Sequence, residues 1–551
     1  MSNSRSRSRS RRPAASRPGL LLAEGERDLA AAISRLTYCN PFTRERLELE
    51  RQVLGEGFIP FDVVWHAQIE PAGDNPNLPA ITEKVQALAE RLRARLLAEP
   101  RTAAAADELE LYRDLVLYLL YNRYQGHFLD AIQRQEGAPE MARGTASRPR
   151  GEAAEGRISF AFYRRFADDL GYFLDLSRAG LATPDPGHLF ACFFQIRRAF
   201  QFTLRSIVGG SPPAARLREQ IWQSIFTHDL RRYQRSLYGR IGDVTTLVTG
   251  ASGTGKEVVA RAIGHSRYLP FDAASLTFRE SWIASFFPLN LSALAPTLVE
   301  SELFGHCRGA FTGAVADRAG WLELCPPVGT VFLDEIGETD IAIQVKLLRV
   351  LETRTFERLG ETRERTFQGK VIAATNRDLA DDLHTGRFRA DLYYRLCSDL
   401  LATPTLAERI AAAPEELSNL VLHLSRRAAG DELAAEVAQE VEGWIAKHLG
   451  TGYPWPGNVR ELAQCVNNVL IRGDYRPASR AAPAPEPRAR LAAEILEGEL
   501  AAEEVLRRYC TLVFAAAGSY EEAGRRLGLD RRTVRSRVDL ALLDELRRHG
   551  P

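Results

Sequence analysis

The chain has 551 residues, and its 72 Lys and Arg against 71 Asp and Glu give a formal net charge of +1. At roughly 150 residues per domain this length predicts three or four domains, and a hydrophobic content of 45% is sufficient for globular cores. No apolar run approaches the roughly 20 residues that cross a bilayer, and the seven cysteines are far apart, without a CxxC pair. These features argue against a membrane protein, a disulfide framework and a structural zinc site, so we expect a cytoplasmic protein.

The first 210 residues read as a tail followed by a helical region. Residues 1–19 are rich in Ser and Arg without apolar periodicity, which predicts a disordered basic tail, either solvated or in contact with nucleic acid. Residues 20–210 carry apolar side chains at helical spacing, as from Leu109 to Leu119, with a loop-like interruption at 136–157. The many aromatic residues fit a helical core or a ligand pocket. We predict an all-helical regulatory domain.

The sequence changes character after residue 210. Strand-like runs at Val244–Thr249, Thr330–Leu333 and Lys370–Ala374 alternate with helical stretches, which predicts a parallel α/β sheet. The resulting scheme has an α/β core at 211–403, a helical region at 404–475, a Pro- and Ala-rich linker at 476–490 and a last helical unit at 491–548.

A glycine-rich loop follows the first strand-like run. It consists of Gly250, Ala251, Ser252, Gly253, Thr254, Gly255 and Lys256, and a helical run follows it. Backbone N–H groups of such a loop converge on phosphate oxygens, and its lysine reaches the β- and γ-phosphates, so the loop predicts a nucleotide site. Glu257 stands where many such loops carry a Mg²⁺-binding Ser or Thr. We therefore expect the metal to depend on another acid, helped by Thr254 or water.

The expected acid follows the second strand-like run. Asp334 and Glu335 come directly after the apolar residues 331–333, at the carboxyl end of a buried strand. An oxygen ligand in this place suits Mg²⁺, which prefers carboxylates and retains several waters. We predict that Asp334 holds the ion and that Glu335 orients and polarises the attacking water.

The segment 300–314, ESELFGHCRGAFTGA, resembles the AAA+ domain of bacterial enhancer-binding proteins, the activators of sigma-54 RNA polymerase. Further matches occur in family order: the glycine-rich loop, FLDEIG at 332–337, ATNRDL at 374–379, FRADLYYR at 388–395 and WPGNVREL at 455–462. Together they cover about residues 215–472. The resemblance implies an AAA+ P-loop ATPase core with a helical lid at 404–475, and ATP and Mg²⁺ as cofactors.

The resemblance also implies a loop that contacts sigma-54. Its residues are Gly309, Ala310, Phe311, Thr312, Gly313 and Ala314. Because small residues flank Phe311, we expect this side chain to form an exposed apolar tip, which needs a partner surface.

Other implied roles surround the nucleotide. Asn290 matches the switch asparagine that senses the γ-phosphate through Glu335. Thr375 and Asn376 match sensor I, and Arg460 matches sensor II in the lid. Arg389 and Arg395 match the arginine fingers that a neighbouring subunit supplies, so we expect a homo-oligomer, in this family a hexameric ring, and low ATPase activity in a monomer.

Two segments depart from the family pattern. Residues 272–285 form the predicted insertion between the glycine-rich loop and Asn290, and residues 403–409 replace an LPPLRER-like segment. Neither contains a predicted catalytic position, but both bear on ring contacts and on the coupling between the lid and the site.

The C-terminal unit has the spacing of a helix-turn-helix. Ala523 and Leu527 are predicted to face inward from one helix and Val534 from the next, with a turn at Gly528. The second helix exposes Arg531, Arg532, Thr533, Arg535, Ser536 and Arg537, which suit phosphates and guanine edges in a major groove. The unit resembles the Fis-type module of these activators, and a three-helix interaction bundle is the alternative.

Together these features predict a sigma-54-dependent activator that binds double-stranded DNA upstream of a promoter and remodels the polymerase closed complex by ATP hydrolysis. Two rivals are open at this level: an AAA+ protein that remodels another partner, and a DNA-binding regulator whose ATPase is lost. The predicted N-terminal domain would control ring assembly, and no phosphoacceptor cluster or metal set is found in it.

Overall fold

The structure is a computed structural model, and it describes residues 21–60, 75–98, 105–136, 158–176, 181, 183–450, 452–477, 494, 500–539, 542 and 543. The predicted tail 1–19, nearly all of the loop 136–157 and nearly all of the linker 476–490 lie outside the described residues. The chain divides into two compact units, residues 1–471 and 472–551. None of the described helices has the length and apolarity needed to cross a membrane.

Helices make up the described part of the first 240 residues. They are α1 (Glu24–Tyr38), α2 (Arg44–Leu54), α3 (Leu78–Ala98), α4 (Ala106–Glu136), α5 (Tyr163–Leu174), α6 (Pro186–Ser206), α7 (Pro212–Phe226) and the short α8 (Leu230–Arg232). The apolar stripe predicted between Leu109 and Leu119 lies on α4, where Tyr112, Leu115 and Leu119 are fully buried. Helical spacing therefore marked a core face.

A parallel sheet follows, as predicted, and it has five strands, two more than the three predicted runs. Its strands are β1 (Thr246–Thr249), β4 (Phe286–Asn290), β7 (Thr330–Asp334), β10 (Lys370–Thr375) and β11 (Asp399–Ala402). Their order across the sheet is β11-β1-β10-β7-β4, and every neighbouring pair is parallel. The carboxyl ends of β1, β10 and β7 are thus adjacent, which brings together the three loops that follow them.

Three two-stranded hairpins extend from this sheet domain. They pair β2 (Phe271–Asp272) with β3 (Thr277–Phe278), β5 (Gly305–His306) with β6 (Arg318–Ala319), and β8 (Thr355–Phe356) with β9 (Arg365–Thr366). The helices of this region are α9 (Lys256–Gly264), α10 (Pro296–Phe304), α11 (Trp321–Leu324), α12 (Ile341–Thr353), α13 (Leu379–His384) and α14 (Ala390–Leu396).

The lid region consists of four helices, as its pattern predicted. They are α15 (Leu406–Ala412), α16 (Glu416–Ala429), α17 (Ala434–His448) and α18 (Asn458–Arg472). The helix α15 begins with a capping box, in which Thr405 and Glu408 each bond the other's backbone N–H. The segment 403–409, which departs from the family pattern, therefore still contains a helix start.

The β2–β3 hairpin lies within the predicted insertion and packs against the N-terminal helices. The Phe278 ring centroid is 4.9 Å from that of Phe160 and 4.4 Å from that of Phe194, and Phe190 lies 4.6 Å from Phe271. A hydrogen bond from the Phe160 N–H to the Leu276 carbonyl (2.8 Å) adds a backbone contact. One hydrophobic core therefore runs from the N-terminal helices into the sheet domain, without a break at residue 210.

A buried arginine adds a polar link between the same regions. Arg198 on α6 donates to the carbonyls of His265 (2.9 Å) and Arg267 (2.5 Å), directly after the carboxyl end of α9. A cation in this position satisfies carbonyls at a helix end and interacts favourably with the helix dipole. The helix that begins at Lys256 is therefore held at its other end by the N-terminal region.

The second unit is a small helical cluster. It contains α19 (Ala502–Ala517), α20 (Tyr520–Leu527) and α21 (Arg531–Arg537). Phe514, Ala523 and Val534, one from each helix, are buried together. Gly528, with a φ of 66°, ends α20, and the Asp530 carboxylate accepts bonds from the N–H groups of Arg532 and Thr533 at the start of α21.

Candidate functional site

The glycine-rich loop connects β1 to α9 at the centre of the sheet. Gly250, Gly253 and Gly255 have φ values of 145°, 80° and 96°, a region that side chains with a Cβ rarely adopt. A Cβ on Gly253 would also lie 2.2 Å from the Gly457 carbonyl oxygen of the lid. The loop therefore requires glycine both for its curvature and for its approach to the lid.

Lys256 starts α9 and lies over this loop. Its Nζ donates to the carbonyl of Gly250 (3.0 Å) and is 3.9 Å from Glu335 Oε1. Burial lowers the pKa of Lys256, while the carboxylates of Glu335 and Asp334 act in the opposite direction. The ammonium thus lies between the loop and the acidic pair, where it can reach a phosphate bound by the loop.

Asp334 is the last residue of β7 and Glu335 follows it, so the pair lies at the carboxyl end of the strand, as predicted. Burial and the adjacent Glu335 raise the pKa of Asp334, which is half-buried. Glu335 has a φ of 56°, unusual for a residue with a side chain. Its Oε2 accepts a hydrogen bond from the backbone N–H of Asn376 (3.2 Å), the residue after β10. The Glu335 carboxylate therefore lies between sensor I and Lys256.

The other sensor I residue is also at this edge. Thr375 ends β10 and is fully buried, and its hydroxyl accepts the N–H of Arg377 (3.1 Å). Asn290 ends β4 and pairs in register with Asp334. Its side-chain oxygen accepts bonds from the N–H (3.0 Å) and hydroxyl (2.8 Å) of Ser292. The expected contact between Asn290 and Glu335 is not among the hydrogen bonds that join described residues.

Thr254 and Glu257 each have a hydrogen-bond partner outside the acidic pair. The Thr254 hydroxyl donates to the Ala251 carbonyl (2.8 Å) and lies 2.6 Å from the hydroxyl of Thr403. Glu257 is exposed and accepts a bond from Arg261 (2.6 Å) one turn further along α9. The expected help of Thr254 in metal binding stays a prediction. In this structure its hydroxyl contacts the loop and Thr403, the residue after β11.

The lid contacts the loop through two side chains of α18. Arg460 donates to the Ser252 hydroxyl (3.0 Å), and Asn458 donates to the Ser252 carbonyl (3.0 Å). Arg460 was predicted here, whereas Asn458 and Thr403 were not. Asn458 could have been noticed because it stands at the start of a helix, in WPGN, where asparagine is favoured.

Both predicted finger arginines have partners within their own subunit. Arg389 forms a two-pronged pair with the Asp391 carboxylate (3.0 and 2.6 Å), and Arg395 Nε is 3.6 Å from Glu352. All four side chains are substantially exposed. The pair raises the pKa of Arg389 and lowers that of Asp391. Exposed pairs of this type are weak and can be exchanged.

The loop 309–314 forms the tip between β5 and β6. A hydrogen bond from the Gly309 N–H to the Ala314 carbonyl (2.8 Å) closes it. The prediction that Phe311 is an exposed tip is wrong for this structure, because its ring packs edge-on against His306 at 5.0 Å and is half-buried. Thr312 is exposed, and Val315, just beyond the loop, is 84% exposed.

The β8–β9 hairpin supports this tip. The N–H of Leu359 donates to Gly305 (2.9 Å), and the N–H of Cys307 donates to Leu359 (3.0 Å). Desolvation raises the pKa of the Cys307 thiol, and Glu361, whose carboxylate lies 3.4 Å away, raises it further. The tip is thus anchored on a second hairpin that residue patterns did not reveal.

The predicted DNA-contacting side chains all lie on α21. Arg531, Arg532, Arg535 and Ser536 are exposed, and Thr533 and Arg537 are half-exposed. Arg531 pairs with Glu521 at 3.2 Å on the surface, and the Thr533 hydroxyl donates to Asp530 (2.6 Å). Asp530, the N-cap of α21, therefore accepts hydrogen bonds from both the backbone N–H and the hydroxyl of Thr533.

Residues 228–401 match the sequence profile of the family described as Sigma-54 interaction domain. This part of the chain is therefore a sigma-54 interaction domain. The resemblance on which the AAA+ prediction rests is confirmed, and the parallel α/β sheet fits it.

The curated relatives of this chain match its central part. The Nif-specific regulatory protein of Herbaspirillum seropedicae is 44% identical over 232 residues, 42% of this chain and 39% of the relative. That of Klebsiella pneumoniae is 40% identical over 270 residues, 49% of this chain and 45% of the relative. The anaerobic nitric oxide reductase transcription regulator NorR of Klebsiella pneumoniae (strain 342) is 39% identical over 229 residues, 42% and 40% of the two chains. The matches thus span less than half of each relative.

Among solved structures, NtrX from Brucella abortus is similar, with 22% identity and a TM-score of 0.35 over 69% of this chain and 80% of that chain.

Proposed function

We propose that this protein is a sigma-54-dependent activator, which hydrolyses ATP and uses the reaction to remodel the sigma-54 RNA polymerase closed complex. The observation that carries the proposal is the position of Glu335. Its carboxylate is bonded to the backbone of Asn376 and is 3.9 Å from Lys256, at the edge of the sheet that bears the glycine-rich loop. A carboxylate fixed beside a phosphate-binding lysine can orient a water for attack on a γ-phosphate.

The residues around the loop fit a nucleotide and Mg²⁺. Three glycines open the backbone, and Lys256 and Arg460 approach it from opposite sides. Asp334 would hold the ion, because its side chain lies at the carboxyl end of β7 beside the loop. The nearby Lys256 opposes the rise in the pKa of Asp334 that burial causes. When bound, Mg²⁺ neutralises phosphate charge. Lys256 holds phosphate oxygens, Arg460 reports the nucleotide to the lid, and Glu335 accepts or orients the water proton.

Loop 309–314 is the proposed contact for sigma-54. Thr312 is already exposed, whereas Phe311 must leave His306 before it can insert into a partner. An edge-on aromatic pair contributes only about 1 kcal/mol. A nucleotide-driven change in the loop can therefore separate Phe311 from His306.

The proposed assembly and DNA contacts use exposed arginines. Arg389 and Arg395 would leave Asp391 and Glu352 to complete a neighbour's nucleotide site in a ring, for which the family suggests six subunits. The helices α20 and α21 support the proposal of a helix-turn-helix, in which α21 enters the major groove of upstream DNA. The domain scheme with boundaries near 210, 403, 475 and 490 belongs to the same proposal.

Two variants test this function. Glu335→Gln should lower the ATPase rate by about 10²–10⁴-fold at retained ATP binding, because only the proton-accepting carboxylate is lost. Thr312→Ala should retain ATPase but lose open-complex formation with purified sigma-54 polymerase. Thr385→Ala, at an exposed threonine directly after α13, is the matched control.

ATPase should be measured over a range of protein concentrations. A rate of zero at every concentration would contradict the enzymatic proposal and favour a regulator without ATPase. Normal open-complex formation by Thr312→Ala would contradict the sigma-54 contact and favour another remodelling target.

A further inference from the structure

The helices of the N-terminal region surround a cavity of about 140 Å³. Its walls come from α1, α2, α4, α6 and α7, with aromatic side chains on several sides. The aromatic members are Tyr118, Tyr121, Phe193, Phe200 and Trp222. The cavity is outside the nucleotide site and the sigma-54 loop, and none of the functions above uses it.

The volume of this cavity selects the size of an occupant. An apolar cavity of about 150 Å³ in another protein holds one benzene molecule, and the present cavity is similar in volume. Ligand sites generally combine such apolar walls with a small number of polar groups that fix orientation. The walls therefore fit one six-membered ring or a branched aliphatic body of similar size.

The charges at the cavity select the polar group of the occupant. Arg46 Nε pairs with Glu50 Oε1 (2.9 Å), so these two charges compensate each other. Glu50 is further held by the side chains of Asn75 (2.6 Å) and Asn77 (3.3 Å). The acidic lining residue is thus fully engaged, and it does not offer a free carboxylate to a cation.

Arg197 is the remaining charge. Its guanidinium lies 5.7 Å from the Phe200 ring centroid. Burial raises the pKa of the Tyr121 hydroxyl, and the charge of Arg197 and its hydrogen bond to this hydroxyl oppose that rise. Its Nε is buried without a hydrogen-bond acceptor, and no carboxylate in the described ranges is within ion-pairing distance. A half-buried guanidinium without a counter-ion is costly, and a ligand carboxylate would compensate it with charge-assisted hydrogen bonds.

We propose that this cavity is a binding site for a small organic monocarboxylate with one ring-sized apolar body, whose carboxylate pairs with Arg197. The site itself does not depend on the proposed ATPase. An effect on ATPase does rest on the proposed function, and the structure offers a route: Trp222 lines the cavity from α7, and Ser224 on the same helix donates to Asp399 (2.5 Å) in β11, next to β1.

Isothermal titration of the full chain with three probes tests the proposal. Benzoate supplies the ring and the charge, benzamide the ring alone, and acetate the charge alone. We expect benzoate to bind at least tenfold more tightly than either of the others. Equal affinity for benzoate and benzamide, or no heat of binding for benzoate up to millimolar concentrations, would overturn the proposal.

Variants at Arg197 identify the site. Arg197→Gln should weaken benzoate binding at least tenfold and leave benzamide binding unchanged, while Arg197→Lys should retain part of the preference for benzoate. Arg205→Gln, on the same helix but outside the cavity, removes an exposed pair with Glu136 and is the matched control. Ile196→Phe, in the wall, should weaken both ring-bearing probes.

The binding and ATPase readouts fail independently. Tight benzoate binding in a chain without ATPase would leave the site intact and contradict only the proposed function. Benzoate affinity unchanged by Arg197→Gln, in a variant with the wild-type circular dichroism spectrum, would overturn the site whatever the ATPase rate.

Discussion

His265 is an imidazole enclosed by aromatic rings. It lies between Trp282, Phe286 and Phe202, with ring centroids 5.3–5.6 Å away, and its Nδ1 is 3.1 Å from the Trp282 carbonyl. Burial lowers its pKa from 6.5 to about 4. The folded protein therefore holds this side chain neutral, although the unfolded chain protonates it in mild acid.

This shift predicts a pH-dependent stability. Between pH 6.5 and about 4 the unfolded chain binds the extra proton, so the free energy of unfolding falls as the pH falls through this window. The loss is about 3 kcal/mol when complete, since one pKa unit corresponds to about 1.4 kcal/mol. Urea unfolding at pH 7 and pH 4 should show this component in the wild type and not in His265→Phe. His448→Phe, at an exposed histidine of the lid, should retain the full wild-type difference.

Arg389 is at the surface and paired with Asp391, so its proposed role requires a second subunit. Arg389→Ala should lower ATPase by about 10³-fold or more if it completes a neighbour's site. Arg387→Ala, two residues away and paired with Asp382 at 2.9 Å, is the control.

Mixing distinguishes a role in trans from one in cis. A mixture of Arg389→Ala and Glu335→Gln subunits should be active, because some interfaces combine an intact Arg389 with an intact Glu335. An inactive mixture of two variants that co-assemble would place Arg389 in its own subunit's site instead.

At the scale of elements, one buried ion pair fastens the lid to the helical region. Glu416, at the start of α16, pairs with Arg409 of α15 (2.7 Å). It also accepts hydrogen bonds from the N–H groups of Gly210 (2.8 Å) and Ser211 (3.1 Å), just before α7. A carboxylate at a helix N-terminus satisfies free N–H groups and interacts favourably with the helix dipole.

Glu416→Ala should lower the free energy of unfolding by about 3–5 kcal/mol, because Arg409 would stay buried without its counter-ion. Asp431→Ala removes an exposed pair with Arg426 in the same lid and should cost less than about 1 kcal/mol. Chemical denaturation of both variants measures the difference. Equal, small effects would show that water replaces the lost carboxylate.

The sheet and its catalytic edge could be predicted because they depend on short patterns. Alternation of strands and helices indicated a parallel sheet, and the ends of β1, β7 and β10 lie within one residue of the predicted run ends at Thr249, Leu333 and Ala374. The positive φ of Glu335 and the contact between Thr254 and Thr403 left no such signal. They depend on strand order and on contacts between side chains far apart in sequence. Such contacts leave no periodic pattern in a single sequence.

The exposure of Phe311 was mispredicted for a related reason. Small neighbours in sequence suggested an uncovered ring, but the hairpin fold brings His306 against it, with the ring of His306 itself buried and bonded to Ser301 (2.7 Å). Local composition shows only the residues adjacent to Phe311 in sequence. The burial of its ring depends on residues that the hairpin fold brings next to it.

At the scale of the larger unit, the described residues before 210 and the sheet domain share a core. Deleting residues 1–210 should therefore expose Phe271, Phe278 and Trp282, all less than 10% exposed in the whole chain. The truncated protein should aggregate or bind a hydrophobic dye, as judged by size-exclusion chromatography and dye fluorescence. Deleting only residues 1–20 is the matched truncation. A monodisperse, fully active 211–551 fragment would contradict the shared core.

The β2–β3 hairpin has a consequence for how such a chain can be recombined. Regulatory regions are exchanged most readily when the boundary between the joined segments falls in a linker that few contacts cross. A boundary at residue 210 would instead separate α6 from the aromatic surface of the hairpin on which it packs. A new sensory region joined at residue 210 would meet a surface shaped for Phe160, Phe190 and Phe194. A functional graft must therefore carry its own version of residues 271–286, so this ATPase region is dedicated to its present N-terminal neighbour.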